Sequence, residues 1–140
     1  MNSLVVENEI IRLVALPHIG GKVISFFVKP IKKELLFQPR IPYKQPRVGD
    51  EFALYDTSGW DEMLPTIDPC IWEDKHLPDH GEVWARAWDM HVQGNILYGR
   101  VNCETLPLLF KREIVLQNNQ CLVWYTLTNL SEKVQPYLWA

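Results

Sequence analysis

With 140 residues the chain has the size of one ordinary domain, long enough to bury about two thirds of its unfolded surface. A formal charge of −3 lays down no basic field for a phosphate backbone, which excludes nucleic acid as a partner class. No apolar run approaches the roughly 20 residues that span a bilayer, and the start Met1-Asn2-Ser3-Leu4-Val5-Val6-Glu7 has neither a basic n-region nor an apolar h-region. No membrane partner and a cytoplasmic location are therefore expected.

The pattern is β throughout. Residues 4–7 and 10–16 form two short apolar runs parted by Glu7-Asn8-Glu9, which suits a tight turn. In the second run Ile11, Leu13 and Ala15 fall on one face and Arg12 on the other, a period of two. Pro17-His18-Ile19-Gly20-Gly21 breaks the chain, and residues 22–28 (Lys-Val-Ile-Ser-Phe-Phe-Val) are a strand by β-branched and aromatic content. Lys29-Pro30-Ile31-Lys32-Lys33 reads as a solvated turn, followed by a short strand over 34–37.

From 38 to 78 prolines recur at 39, 42, 46, 65, 69 and 78, too densely for a long helix or a central strand. An excursion of this length is functional or disordered, and its Trp, Phe, Tyr, Met and Leu content opposes disorder. It is expected to fold over the sheet. Strands resume at 84–91, with Trp84, Arg86, Trp88 and Met90 on one face, and at 96–104 after the turn Gln93-Gly94-Asn95. Residues 108–116 and 121–129 make a hairpin about Asn118-Asn119. Residues 136–140 begin a further strand, so an all-β sandwich of about nine or ten strands in a single domain over 1–140 is predicted. The chain stops on that apolar, aromatic strand, so it is expected to be the front portion of something longer.

Cys70, Cys103 and Cys121 are widely spaced without a C-x-x-C pair, as expected of reduced thiols that pack as small hydrophobes. His76 and His80 have the four-residue spacing of a helical zinc pair, but Pro78 stands between them and Leu77 replaces the glutamate of that motif, so no metal is assigned. Residues 59–88 carry no regular period yet hold Trp60, Asp61, Glu62, His80, Glu82, Trp84, Arg86 and Trp88. Such a stretch points to a site on a scaffold.

Taken in order, Glu7-Asn8-Glu9, Leu16-Pro17, Gly20-Gly21-Lys22-Val23, Gly59-Trp60-Asp61-Glu62 with Pro65-Thr66, Asp79-His80-Gly81-Glu82-Val83-Trp84 with Trp88, Phe110-Lys111-Arg112, Thr128-Asn129 and Pro136-Tyr137-Leu138-Trp139-Ala140 resemble the N-terminal half of the aldose 1-epimerase (galactose mutarotase-like) family. The resemblance covers nearly the whole chain. It implies a β-supersandwich, of which this chain would form a part, and an open cleft that interconverts the anomers of a free hexose without metal or organic cofactor. His80 matches the family histidine that addresses the ring oxygen. Many members carry an Arg where this chain has Trp84, with Arg86 the nearest substitute. The family's second histidine and its glutamate base correspond to positions outside these residues.

Mutarotation needs a base for the anomeric hydroxyl proton and an acid for the ring oxygen, both with pKa values near ambient pH. A histidine meets one need and a carboxylate raised by burial the other. His80 is the candidate acid; the alternative is a loop histidine bonded to Asp79. Asp61, Glu62 and, more weakly, Glu82 would accept hydrogen bonds from sugar hydroxyls, or are merely loop acids. Trp60, Trp84 and Trp88 would face the C–H side of a pyranose, or fill the core. Arg86 and Arg112 would each fork onto a hydroxyl or phosphate, or lie on a solvated face, the reading preferred for both. The expected partner is a small hexose-like sugar. A carbohydrate-binding module that lacks the glutamate base is the alternative, and a half-sandwich forming a homodimer through exposed sheet edges is a third reading.

Overall fold

The computed structural model describes residues 2–55 and 58–140. Ten strands follow in order: β1 Leu4–Glu7, β2 Ile11–Leu16, β3 Lys22–Val28, β4 Lys33–Glu34, β5 Cys70–Trp72, β6 Lys75–Leu77, β7 Asp89–Gln93, β8 Ile96–Asn102, β9 Leu108–Gln117 and β10 Gln120–Asn129. A 3-10 turn, Phe52–Leu54, lies within the excursion, and no described residue is in an α-helix. The strands within each sheet pair antiparallel: β1-β2-β3-β4 form one sheet, β10-β9-β8-β7 a second, and β5-β6 a small hairpin. No helix among the described residues is long and apolar enough to cross a membrane.

The period of two explains how the large sheets meet. Ile11, Leu13 and Ala15 of β2 and Val23 of β3 are buried against Leu97 of β8 and Ile114 and Leu116 of β9. Two half-polar sheets have thereby buried one face each, the arrangement of a sandwich. Beyond the reach of the first sheet a second core continues, where Leu108 and Phe110 of β9 pack with Leu64, Val83, Trp88, Val101 and Leu106. So β9 runs through both cores. One end is covered by the opposing sheet, the other by residues 59–88.

The turns obey local chemistry. Asn8 Oδ1 accepts from the Ile10 and Ile11 N–H groups at 2.9 and 2.8 Å, fixing the β1–β2 reversal where the sequence placed it. Glu34 accepts from Ser25 Oγ at 2.6 Å and from the Phe26 and Leu36 N–H groups at 2.8 and 3.0 Å, holding the short edge β4 against β3.

Two expectations need correction, and one element has no counterpart among them. Residues 84–88 are not strand: β7 begins only at Asp89. Their backbone bonds go to the 17–20 turn instead, with Gly20 N–H donating to Arg86 O at 2.8 Å and Trp88 N–H to Pro17 O at 2.7 Å. A Cβ on Gly20 would sit 2.3 Å from Trp84 O, so this crossing exists because that residue has none. The hairpin β5–β6 was not predicted; its turn is Glu73-Asp74, both at positive φ, with no Gly or Asn to announce it. Residues 136–140 form no assigned strand, although Leu138 N–H bonds Pro65 O and Met63 and Ala140 exchange backbone bonds.

Candidate functional site

The 59–88 stretch divides into three groups of side chains. The first surrounds His80. This residue and Gly81 both take left-handed backbone, φ 58° and 68°, and a Cβ on Gly81 would lie 2.2 Å from Leu64 O. The turn therefore presses against the Leu64 segment, and His80 N–H is held by Ile67 O at 2.8 Å. The imidazole stacks flat on Phe52, centroids 4.2 Å apart and planes within 9°. Its Nδ1 is 2.8 Å from Asp79 Oδ2 but makes no hydrogen bond with it. Because Nδ1 is buried, the 27% exposure of the side chain belongs to the rest of the ring.

Phe52 and Tyr55 also set their edges against Trp84, at 5.0 and 5.6 Å. Trp84 is 3% exposed, and its indole N–H has no acceptor among the described residues. It helps to wall a very small cavity with Ile19, Tyr43, Phe52, Tyr55 and the Lys22–Asp61 pair. Lys22 Nζ lies 2.6 Å from Asp61 Oδ2, both side chains nearly buried. Burial pushes the Asp61 carboxyl above the usual carboxylate range, and the Lys22 ammonium pulls it the other way. The cavity holds about 10 Å³, room for one water at most. The excursion thus folds over the sheet, as expected, and its rings fill the space beneath.

The second group is centred on Glu62, 1% exposed. Its carboxylate receives Arg112 Nη1 at 3.1 Å, the Tyr125 hydroxyl at 2.8 Å and Trp139 Nε1 at 3.0 Å. Burial and then the Glu62 charge push the Tyr125 hydroxyl well above its ordinary range. Arg112, also 1% exposed, donates to Gly21 O and lies between two indoles, 5.3 Å from Trp60 and 4.9 Å from Trp88. The solvated face expected for Arg112 is thus overturned. Its parity on β9, shared with Leu108, Phe110, Ile114 and Leu116, was the available signal. Trp88 is buried, with Nε1 bonded to Val83 O at 2.9 Å.

The third group ties down the β8–β9 loop. Glu82, 1% exposed, accepts from the Glu104 and Thr105 N–H groups at 2.8 and 2.9 Å and from the Thr105 hydroxyl. Arg86 bonds Glu104 and lies 3.6 Å from Glu82. Carboxylates in this state are acceptors for their own backbone, and a sugar hydroxyl would have to displace those bonds.

The fold therefore brings His80, Trp84 and Asp61 under the excursion, and places Trp60, Glu62 and Trp88 with Arg112 at the junction of the two cores. Phe52, Tyr55, Tyr43 and Lys22 belong to the first group without having been named from sequence. No group of three or more His, Cys, Asp or Glu among the described residues is arranged to hold a metal ion. No family model and no curated protein matches the chain.

Proposed function

We propose that the protein binds a hexose-like sugar beneath the excursion and acts as an aldose 1-epimerase, with His80 as the acid at the ring oxygen. The observation that carries this is the buried indole N–H of Trp84, without an acceptor among the described residues, in an aromatic-walled space beside the Lys22–Asp61 pair and next to the Phe52–His80 stack. A buried donor without an acceptor is uncommon in a native structure, and a hydroxyl oxygen would satisfy it. Ring walls with a few polar groups suit a pyranose, whose C–H faces are apolar and whose edges are not. Entry requires Phe52 and Tyr55 to move aside, since the cavity is smaller than any sugar.

In this mechanism His80 gives a proton to the ring oxygen as the C1–O5 bond breaks, and a carboxylate base supplied by a longer chain or a partner takes the anomeric hydroxyl proton. The open aldehyde rotates, closes on its other face, and both protons return. Asp79 beside Nδ1 would orient the ring and stabilise the imidazolium. The engagement of Asp61, Glu62 and Glu82 by internal partners favours a second reading, a binding module without a free base.

Polarimetry of freshly dissolved α-glucose and α-galactose separates the two. Wild type is expected to speed the approach to equilibrium, and His80→Asn to lose that acceleration by about 10²-fold or more. No acceleration above buffer in wild type removes the enzyme; sugar-dependent tryptophan quenching without turnover selects the binding module.

A further inference from the structure

The four strands at the edges of the two large sheets are unequal. β1 has four residues, β4 is the charged pair Lys33–Glu34, and β7 has five residues including Asp89. β10 has ten residues, Gln-Cys-Leu-Val-Trp-Tyr-Thr-Leu-Thr-Asn, with no charge, proline or glycine. Its loop, Asn118-Asn119, spans two residues over the pair Gln117↔Gln120. A loop of that length closes on a hydrogen-bonded pair, so even-numbered residues of β10 bond β9 and odd-numbered ones face the free edge. Leu130 N–H, bonded to Pro107 O at 2.8 Å, continues the same alternation. Among the described residues the backbones of Cys121, Val123, Tyr125, Leu127 and Asn129 take no partner along that edge.

A long, neutral, proline-free edge is a template for another strand. We propose that the occupant is the same edge of a second copy, paired antiparallel about a two-fold axis at Tyr125. That axis sets Tyr125 opposite Tyr125, Val123 opposite Leu127 and Cys121 opposite Asn129, so every edge-facing residue meets another. It also makes charges complementary on the outer face. Trp124 lies beside Glu113 and Thr126 beside Lys111 within one chain. Across the axis Trp124 meets the partner copy's Thr126, so the row that carries Glu113 runs into the row that carries Lys111 and Arg100, and the reverse. Trp124, 51% exposed, gains cover. With the other edges short or charged, the pairing closes as a dimer and does not propagate.

Sedimentation velocity of the full chain over the micromolar range tests this. Wild type is expected at twice the mass of one chain. Trp124→Lys/Thr126→Lys and Trp124→Glu/Thr126→Glu, each facing itself across the axis, are expected as monomers, and an equimolar mixture of the two as a dimer. Circular dichroism melts establish that the variants are folded. If either fails to fold, Val123→Pro replaces it, since proline there removes one edge-facing N–H and none facing β9. A monomeric wild type, a folded variant that stays dimeric, or a mixture that stays monomeric overturns the two-fold pairing.

Discussion

Arg112 shows how one side chain can join two cores. It sits on β9 between Phe110 and Ile114, where the opposing sheet gives way to the 59–88 stretch, and its charge is met by Glu62 from that stretch. Removing one member of a buried pair leaves the other uncompensated, which costs about 3–5 kcal/mol. Arg112→Met is expected to destabilise by about that amount, and adding Glu62→Gln to recover part of the loss. Urea denaturation of the single and double variants checks this; equal losses in both would mean that the guanidinium acts only through packing. The cysteines make a second residue-scale test. Burial, followed by the Glu82 charge, pushes the Cys103 thiol up to about 12, whereas Cys70 is exposed. A thiol at that value supplies almost no thiolate at neutral pH. Timed alkylation with peptide mass spectrometry should modify Cys70 first and Cys103 only after unfolding; comparable rates would contradict the assignment. That Cys70 is exposed also corrects the expectation of three core thiols.

At the scale of elements, β4 is two residues long and depends on Glu34 for its attachment. Burial pushes this carboxyl up, but the Ser25 hydroxyl and the N–H groups of Leu36, Phe26 and Leu35 outweigh it, so the folded value lies below the ordinary one. Its contribution is then complete above about pH 4, the unfolded range, and fades as pH falls through the folded value. Glu34→Gln is expected to cost about 1 kcal/mol at neutral pH, with the gap to wild type closing on acidification. Chemical denaturation at pH 7 and pH 3 measures both; a gap that widens in acid would reverse the sign. The elements also mark where sequence reasoning succeeds. β1, β3 and the β9–β10 hairpin were legible because alternation and turn residues act locally. Trp84 to Trp88 failed because alternating bulk resembles a strand, while their backbone bonds go to the distant 17–20 turn.

For the whole molecule, the all-β sandwich was legible from a period of two repeated along a chain without helical pattern. The same sequence gathered nearly all the chemistry-bearing residues into 59–88 but could not say which belonged together. Asp61 and Glu62 are adjacent in the chain yet face different partners, Lys22 beneath the excursion and Arg112 between the cores. Phe52 and Tyr55, in a segment defined by prolines, turn out to cover His80 and Trp84. The sequence by itself determined most of the strands, the turns between them and the alternating apolar residues of the sandwich core, because those follow from spacing and from each residue's own backbone preferences. Only the tertiary structure decided which charges pair, which rings stack and which indole N–H lacks an acceptor among the described residues, because such contacts join residues far apart in the chain, 50 positions for Glu62 and Arg112 and 77 for Glu62 and Trp139.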